Sequence, residues 1–425
     1  MSTLPPLLEL DIEKVVFGGA GLARYNRYVL FIRDVLPQER VSVEVAKKKS
    51  HYAEAKLLKV LIPSAYRCQP RCPHAGVCGG CQLQHAIPKI HAFLKKAMLQ
   101  EALYTAAPDI EIAPFLSSQI VWGWRRKIVV HARYEKGWKV GFWAFDNTTL
   151  IPIRSCLLFF LEGEGSFLKQ IQTLVEKVPP DSLEISLFRL QSGRLALTVH
   201  GKKLLTEDVK KKLIQESDTF EWLEACSFRF VEWSWSRGSF TSTFSACGRT
   251  WHYSLDGFMQ NHPELSEQLW QDVIDTMHSL GAGQNILDLY SGIGVTAISL
   301  ASLSHNVDAV ELSKEAVDAA KESAQGLDIT FYNLCVEDFC ASTMCLPKKY
   351  DSVIVNPPRA GLSKPAREGI IALDPKHILY VSCSPATLAR DVAVFIQKGW
   401  KIRFVKGYDL FPQTTHFETM MLLNR

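Results

Sequence analysis

Between residues 72 and 81 the chain reads C-P-H-A-G-V-C-G-G-C, placing Cys72, Cys78 and Cys81 at a C-x5-C-x2-C spacing. Short spacers bring the three thiols to one point, and Gly79-Gly80 lets the backbone fold tightly around whatever they hold. Three clustered thiols want a fourth. Cys156, in I-P-I-R-S-C, is the candidate, and Cys68 is the nearer competitor. Four thiolates suit a structural zinc ion or a [4Fe-4S] cluster. Zinc sites tend to pair two C-x2-C knuckles, whereas one knuckle, a C-x5 arm and a remote ligand favour iron–sulfur. A disulfide framework fits poorly, because the start M-S-T-L-P-P-L-L-E-L has no export signal and the cysteine total of 11 is odd. Cys226, Cys247, Cys335, Cys340 and Cys345 lie among apolar neighbours and read as small core residues.

A chain of 425 residues exceeds what one core can hold, so two or three domains are expected. No apolar run approaches the length of a membrane span, and L-L-F-F-L at 157–161 reads as a buried segment. The expectation is a cytoplasmic protein, away from membranes, with a monomer as the default. The net charge of +4 hides an asymmetry. Residues 1–130 carry 18 Lys and Arg against 10 Asp and Glu, while the remainder carries 30 against 34. Within 45–100, ten basic side chains face only Glu54; they include Lys47, Lys48, Lys49, Arg67, Arg71, Lys95 and Lys96. Such a block gains by displacing counterions from phosphates, so nucleic acid is the expected partner.

Residues 7–62 alternate short apolar runs with glycine turns. That pattern predicts four or five strands in a small barrel of the oligonucleotide-binding kind, with K-K-K-S-H-Y at a strand connection. The cysteine segment follows, then a helix from Pro88 to Leu103. Residues 63–255 read as a central mixed α+β region, with strands such as K-I-V-V-H-A-R-Y and R-L-A-L-T-V-H and helices near 165–177 and 205–216. From 256 to 425 strands and helices alternate, predicting a doubly wound, mostly parallel α/β sheet with ligands at the carboxyl ends of its strands. Two final strands, near 400–408 and 416–424, have no helix between them and predict an antiparallel pair at the sheet edge.

The loop Asp288-Leu289-Tyr290-Ser291-Gly292-Ile293-Gly294 lies between a strand and a helix, where glycines let the backbone approach a ligand. Glu311 follows Asp288 by 23 residues, at the end of the next strand, where an acid can bind ribose hydroxyls. Gly292-x-Gly294-x-x-Ala297 also fits a dinucleotide fingerprint. D-L-x-x-G-x-G, with N-P-P-R at 356–359, instead resembles S-adenosylmethionine-dependent methyltransferases, a likeness that puts Asp338 near the adenine end. Cys383, in Y-V-S-C-S-P, stands between a strand and a helix whose N-terminus is expected to lower its pKa, making it a candidate nucleophile. Glu418 is a carboxylate in an apolar final strand, where burial would raise its pKa and suit it to proton transfer.

Taken together, these motifs resemble the bacterial RNA uracil-C5 methyltransferases, especially the iron–sulfur members acting on large-subunit ribosomal RNA. The likeness spans nearly the whole chain. It implies a TRAM barrel over 1–62, a central iron–sulfur and RNA-binding region over 63–255, and a class I, Rossmann-like methyltransferase domain over 256–425. It implies Cys72, Cys78, Cys81 and Cys156 as cluster ligands, leaving Cys68 out. Gln260, Tyr290, Glu311 and Asn356 would contact S-adenosylmethionine or line its pocket, with Cys383 as nucleophile and Glu418 as base. Two positions depart from the family pattern. Asn356 stands where D-P-P-R is usual, and Gln413 replaces a common histidine in F-P-x-T-x-H-x-E. N-P-P is also the motif of amino-methyltransferases, so methylation of a nucleobase amine is the rival, with transfer RNA the rival substrate. An N-methylating enzyme would not need Cys383.

Overall fold

The computed structural model describes residues 4–159, 166–281, 283–343 and 348–425. Strand formation at the front follows from alternation: in Leu7–Asp11, Leu8 and Leu10 turn inward between exposed neighbours. Six strands are hydrogen-bonded in the order Leu7–Asp11, Arg40–Lys48, Tyr52–Ile62, Tyr28–Ile32, Gly21–Tyr25 and Lys14–Val15. They share one core that includes Leu10, Leu30, Ile32, Val41, Val43 and Ala53. The strand beyond the expected four or five is Lys14–Val15, at two residues too short to show any alternation. Lys47 and Lys48 belong to the strand Arg40–Lys48 rather than to the connecting loop.

A central seven-stranded sheet runs Trp233–Arg237, Leu223–Phe230, Leu195–His200, Ser182–Arg189, Lys127–Tyr134, Trp138–Trp143, Leu150–Pro152. Helices Ser166–Val175 and Glu207–Asp218 supply Leu168, Ile171, Leu174 and Leu213 to its core. Of L-L-F-F-L, Leu158 and Phe159 are buried, and 160–161 lie outside the described residues. A hairpin, Thr241–Ala246 with Arg249–Ser254, packs Phe244, Trp251 and Tyr253 in one cluster with Ile298 and Ala320 of the C-terminal region.

The C-terminal sheet has the order Ile329–Tyr332, Asn306–Val310, Asn285–Leu289, Ser352–Val355, His377–Ser382, Glu418–Asn424, Lys401–Tyr408. Its first five strands are parallel and the last two antiparallel, as alternation and the missing final helix predict. Glu418–Asn424 is an interior strand, and only Lys401–Tyr408 forms the edge. Two helices, Pro263–Ser279 and Val336–Thr343, were not anticipated. The first carried a legible signal in the helical spacing of Leu265, Leu269, Val273, Ile274 and Met277. Cys226 and Cys340 are core residues as expected, whereas Cys247 and Cys335 are half-exposed and Cys345 lies outside the described residues. Among the described residues, no helix is long and apolar enough to cross a membrane.

Helix His91–Leu103 joins the cysteine segment to the C-terminal sheet. Its Leu94, Met98, Leu99 and Leu103 share a core with Leu388, Val392 and Phe395 of helix Pro385–Gln397. On the same face Lys95 is fully buried, ion-paired with Asp409 and donating to the Phe411 carbonyl at 3.0 Å. Lys95 is therefore structural and not part of a phosphate-binding face. Arg67 is also engaged internally, donating to Glu39 Oε2 at 2.7 Å and to the Asp34 carbonyl. Lys47, Lys48, Lys49, Lys56 and Lys59 remain exposed on the barrel. Lys95→Met should destabilise the fold by about 3–5 kcal/mol in urea unfolding, because Asp409 is left as an uncompensated buried charge. Adding Asp409→Leu should recover much of that loss.

Candidate active site

Register brings the predicted ligand-binding residues to one edge. Val310, Leu289 and Val355 are neighbours across three parallel strands, and each is the last residue of its strand. Glu311, Tyr290 and Asn356 therefore follow side by side. Left-handed backbone at Tyr290, Gly292 and Gly294 turns the chain sharply into helix Val295–Ser302. The Gly292 N–H donates to Glu311 Oε2 at 2.9 Å and the Ser313 N–H donates to Oε1 at 2.8 Å. The acid is thus fastened against the glycine loop. Asp288 is buried beneath, accepting from Thr296 Oγ1 at 2.6 Å, and burial raises its pKa to about 7. Asn356 is exposed at its strand end. Asp338 is exposed too, while its neighbour Glu337 accepts a hydrogen bond from Ser363.

Cys383 and Glu418 meet through the antiparallel pairing of their strands. Ser382 pairs with Thr419, and one step further along that register sets Cys383 opposite Glu418. Glu418 is 3% exposed, which excludes a carboxylate facing water. Burial raises its pKa to about 8, against opposing contributions from the Gln260 side-chain hydrogen bond and the Arg359 charge. Burial also dominates at Cys383, with the Glu418 carboxylate adding to it, and pushes the thiol up to about 11. The expected lowering by the helix N-terminus is thus overturned. The helix Pro385–Gln397 does begin there, but desolvation and a like-signed neighbour outweigh its dipole. Arg359, which sequence reading left without a role, is the cation that favours ionisation of both groups.

A buried carboxylate positions that arginine's loop. Asp391 accepts from the Leu362 N–H at 2.7 Å, Tyr380 Oη at 2.8 Å and Arg367 at 2.8 Å. This ties the N-P-P-R turn to the strand and the helix that flank Cys383. Gly361 has φ +71°, and a Cβ there would lie 2.6 Å from Asp391 Oδ2, so glycine is required. Gln260 is pinned from the central sheet, where Lys127 N–H donates to Asn261 Oδ1 and Lys127 Nζ to the Leu255 carbonyl. Arg126 reaches Met259 Sδ. Arg126 and Lys127 therefore act as internal struts.

Thiols of the cysteine segment and Cys156 lie near enough to oppose one another's ionisation. Burial raises the pKa of Cys78, Cys156 and Cys81, the last to about 12. Cys156 bears on both Cys78 and Cys81, and Cys72 bears on Cys78 and Cys156, each thiolate opposing the next. Cys68 instead donates its thiol to the Gln84 carbonyl at 3.4 Å. Among the described residues no three Cys, His, Asp or Glu side chains are already drawn around a metal-sized point. The donor chemistry nevertheless fits a cationic centre, because a metal would relieve the mutual repulsion of neighbouring thiolates.

Comparison with known proteins adds a family to this geometry. A model described as tRNA (Uracil-5-)-methyltransferase matches residues 236–425, and a TRAM domain model matches residues 7–58. The 23S rRNA (uracil(1939)-C(5))-methyltransferase RlmD of Shewanella sp. (strain MR-4) is 31% identical over 425 residues, covering 95% of this chain and 92% of that protein. The "Uncharacterized RNA methyltransferase pc0248" of Protochlamydia amoebophila is 29% identical over 435 residues, covering 100% of this chain and 99% of that one. A solved structure, the Pyrococcus abyssi tRNA (uracil-54, C5)-methyltransferase with S-adenosyl-L-homocysteine, shares the fold with a TM-score of 0.73. It is 20% identical, over 97% of this chain and 100% of that one.

The raised pKa of Glu418 makes a stability prediction. Its neutral form is favoured by the fold, so that contribution is complete below the ordinary value of 4.5 and is lost as pH rises through about 8. Glu418→Gln should leave Tm nearly unchanged at about pH 5 and raise it at about pH 9. A lower Tm for the variant at the higher pH would show that the neighbours favour the carboxylate instead.

Proposed function

The chain belongs to the RNA uracil-C5 methyltransferase family, and we propose that it methylates a uridine of 23S ribosomal RNA through Cys383 and Glu418. The observation that carries the assignment of these two residues is their cross-strand partnership at the carboxyl edge of the sheet, beside the glycine loop and Glu311. The choice of 23S ribosomal RNA is supported by the Shewanella relatives, and the exposed lysines of the barrel suit a phosphate backbone.

S-adenosylmethionine supplies the methyl group when bound, and the glycine loop, Tyr290, Glu311, Asp338, Asn356 and Gln260 would line its pocket. Carbon 5 of uracil is too weak a nucleophile to take that methyl unaided. The Cys383 thiol gives its proton to solvent, a step that the Arg359 charge favours, and the thiolate sulfur bonds to carbon 6. The carbon 5–carbon 6 π electrons then make carbon 5 nucleophilic enough to bond the methyl. Burial opposes ionisation of Glu418, and the Gln260 hydrogen bond and the Arg359 charge favour it. As the carboxylate, Glu418 accepts the carbon-5 proton. Electrons from that C–H bond restore the double bond, the C–S bond breaks and the thiolate leaves. Asn356 keeps the capacity to hydrogen-bond but lacks the charge usual at this position in the family.

Cys72, Cys78, Cys81 and Cys156 would hold a [4Fe-4S] cluster, with zinc the alternative. Methyl transfer of this kind has no redox step, so the group would serve to cross-link the cysteine segment to the central sheet. Two experiments test this reading. Nucleoside mass spectrometry on unmodified RNA should give new 5-methyluridine that Cys383→Ala abolishes. A methylated amine that survives Cys383→Ala would favour the rival signalled by Asn356, and modification of transfer RNA alone would overturn the ribosomal assignment. Cys156→Ser should lose iron and visible absorption toward the blue, whereas Cys68→Ser should keep both; zinc in a colourless wild-type protein would replace the cluster.

A further inference from the structure

Three bodies meet at the loop that leads into the catalytic strand, and one side chain touches all of them. Gln82 directly follows Cys81. Its backbone N–H and that of Leu83 both donate to the Gln413 carbonyl, at 3.1 and 3.0 Å. Its side-chain Nε2 donates to the Gly79 carbonyl at 2.7 Å, inside the cysteine segment, and its Oε1 accepts from the Thr415 N–H at 3.3 Å. From the barrel, Gly19 packs so tightly that a Cβ there would lie 2.5 Å from Gln82 Cβ. Phe17, in the same turn, sets its ring edge against His416 at 5.6 Å and Phe417 at 6.0 Å. Gln413 holds φ +70°, and Gln413 Nε2 and Thr415 Oγ1 are buried without a partner among the described residues. Thr414 braces the loop from within, its Oγ1 donating to the Phe411 carbonyl at 2.9 Å and accepting from the His416 N–H at 3.1 Å, while the backbone and amide contacts from Gln82 and Leu83 fasten the loop to the cysteine segment.

We propose that Gln82 is a positioning residue: it locks the cysteine segment to the 409–417 loop and so sets where Glu418 stands relative to carbon 5. The proposal rests on the reading of Glu418 as the base. The step it serves is removal of the carbon-5 proton, in which the C–H electrons restore the carbon 5–carbon 6 bond and the C–S bond to Cys383 breaks. Misplacing the carboxylate slows that release without touching the glycine loop or the exposed barrel lysines. Positioning errors on the scale of an ångström cost large factors in rate.

The test uses Gln82→Met in the full-length protein with its metal content intact. The variant keeps side-chain length but loses both amide hydrogen bonds. The expected result is a kcat reduced roughly tenfold or more, KM values for RNA and S-adenosylmethionine unchanged, and a covalent protein–RNA adduct visible under denaturing conditions. Hydrogen exchange at the Thr415 amide should accelerate while iron content and visible absorption hold. Glu418→Gln serves as the reference and should trap the same adduct. If it does not, the assignment of the base fails rather than the role of Gln82. If it does, and Gln82→Met releases product at the wild-type rate without adduct, the proposal is overturned. Should Gln82→Met lose iron, Gly19→Ala presses on the same side chain from the barrel and leaves every cysteine in place. Adduct accumulation there supports the proposal, and normal turnover overturns it.

Discussion

The direction of the last strand is the constraint on which the site depends. Glu418–Asn424 runs antiparallel between His377–Ser382 and Lys401–Tyr408, so its first residue sits where His377–Ser382 ends. Had the strand run parallel, Glu418 would lie at the opposite edge of the sheet, a strand length from Cys383. The reversal also allows a short connection, 409–417, in place of a helical crossover. That connection is held by the Lys95–Asp409 ion pair, by Gln82 and by the aromatic contacts of Phe17.

Electrostatics at this edge place two reluctant acids side by side. Desolvation is the chief cause that raises both Cys383 and Glu418, and at Cys383 the Glu418 carboxylate adds to it. A resting site with both groups neutral is the consequence, with Arg359 as the counter-charge that favours ionisation. His416 next to this site is kept neutral, its pKa lowered to about 4 chiefly by burial and further by Arg359, Lys95 and Arg125. It adds no competing positive charge at neutral pH.

The basic block of the sequence divides in two in the fold. Lys47, Lys48, Lys49, Lys56 and Lys59 form an exposed face on the barrel and can meet phosphates. Lys95, Arg67, Arg126 and Lys127 turn inward, where they join the barrel, cysteine segment and catalytic region. Side chains counted by sign alone look interchangeable. Burial separates them, because an inward cation survives only when a carboxylate or carbonyl meets it.

Much of the site was legible in the chain itself. The alternation of strands and helices from 256 onward, the glycine loop with Glu311 at its proper distance, and the C-x5-C-x2-C segment depend on local spacing, and spacing is written in the sequence. The missing helix between the final strands was enough to foretell an antiparallel pair. What tertiary structure alone decided is who faces whom and in what dielectric. Cys383 was read as activated by a helix end, but its environment is set by Glu418 across the register and by the protein packed over both. Arg359, Asp391 and Gln82 carried no marker of their role, because each acts through a partner far off in the chain: 24 residues for Arg359 and Cys383, 29 for Asp391 and Leu362, and 333 for Gln82 and Thr415. Periodicity and motif record which element a residue belongs to; charge state and contact depend on distances that only the folded chain defines.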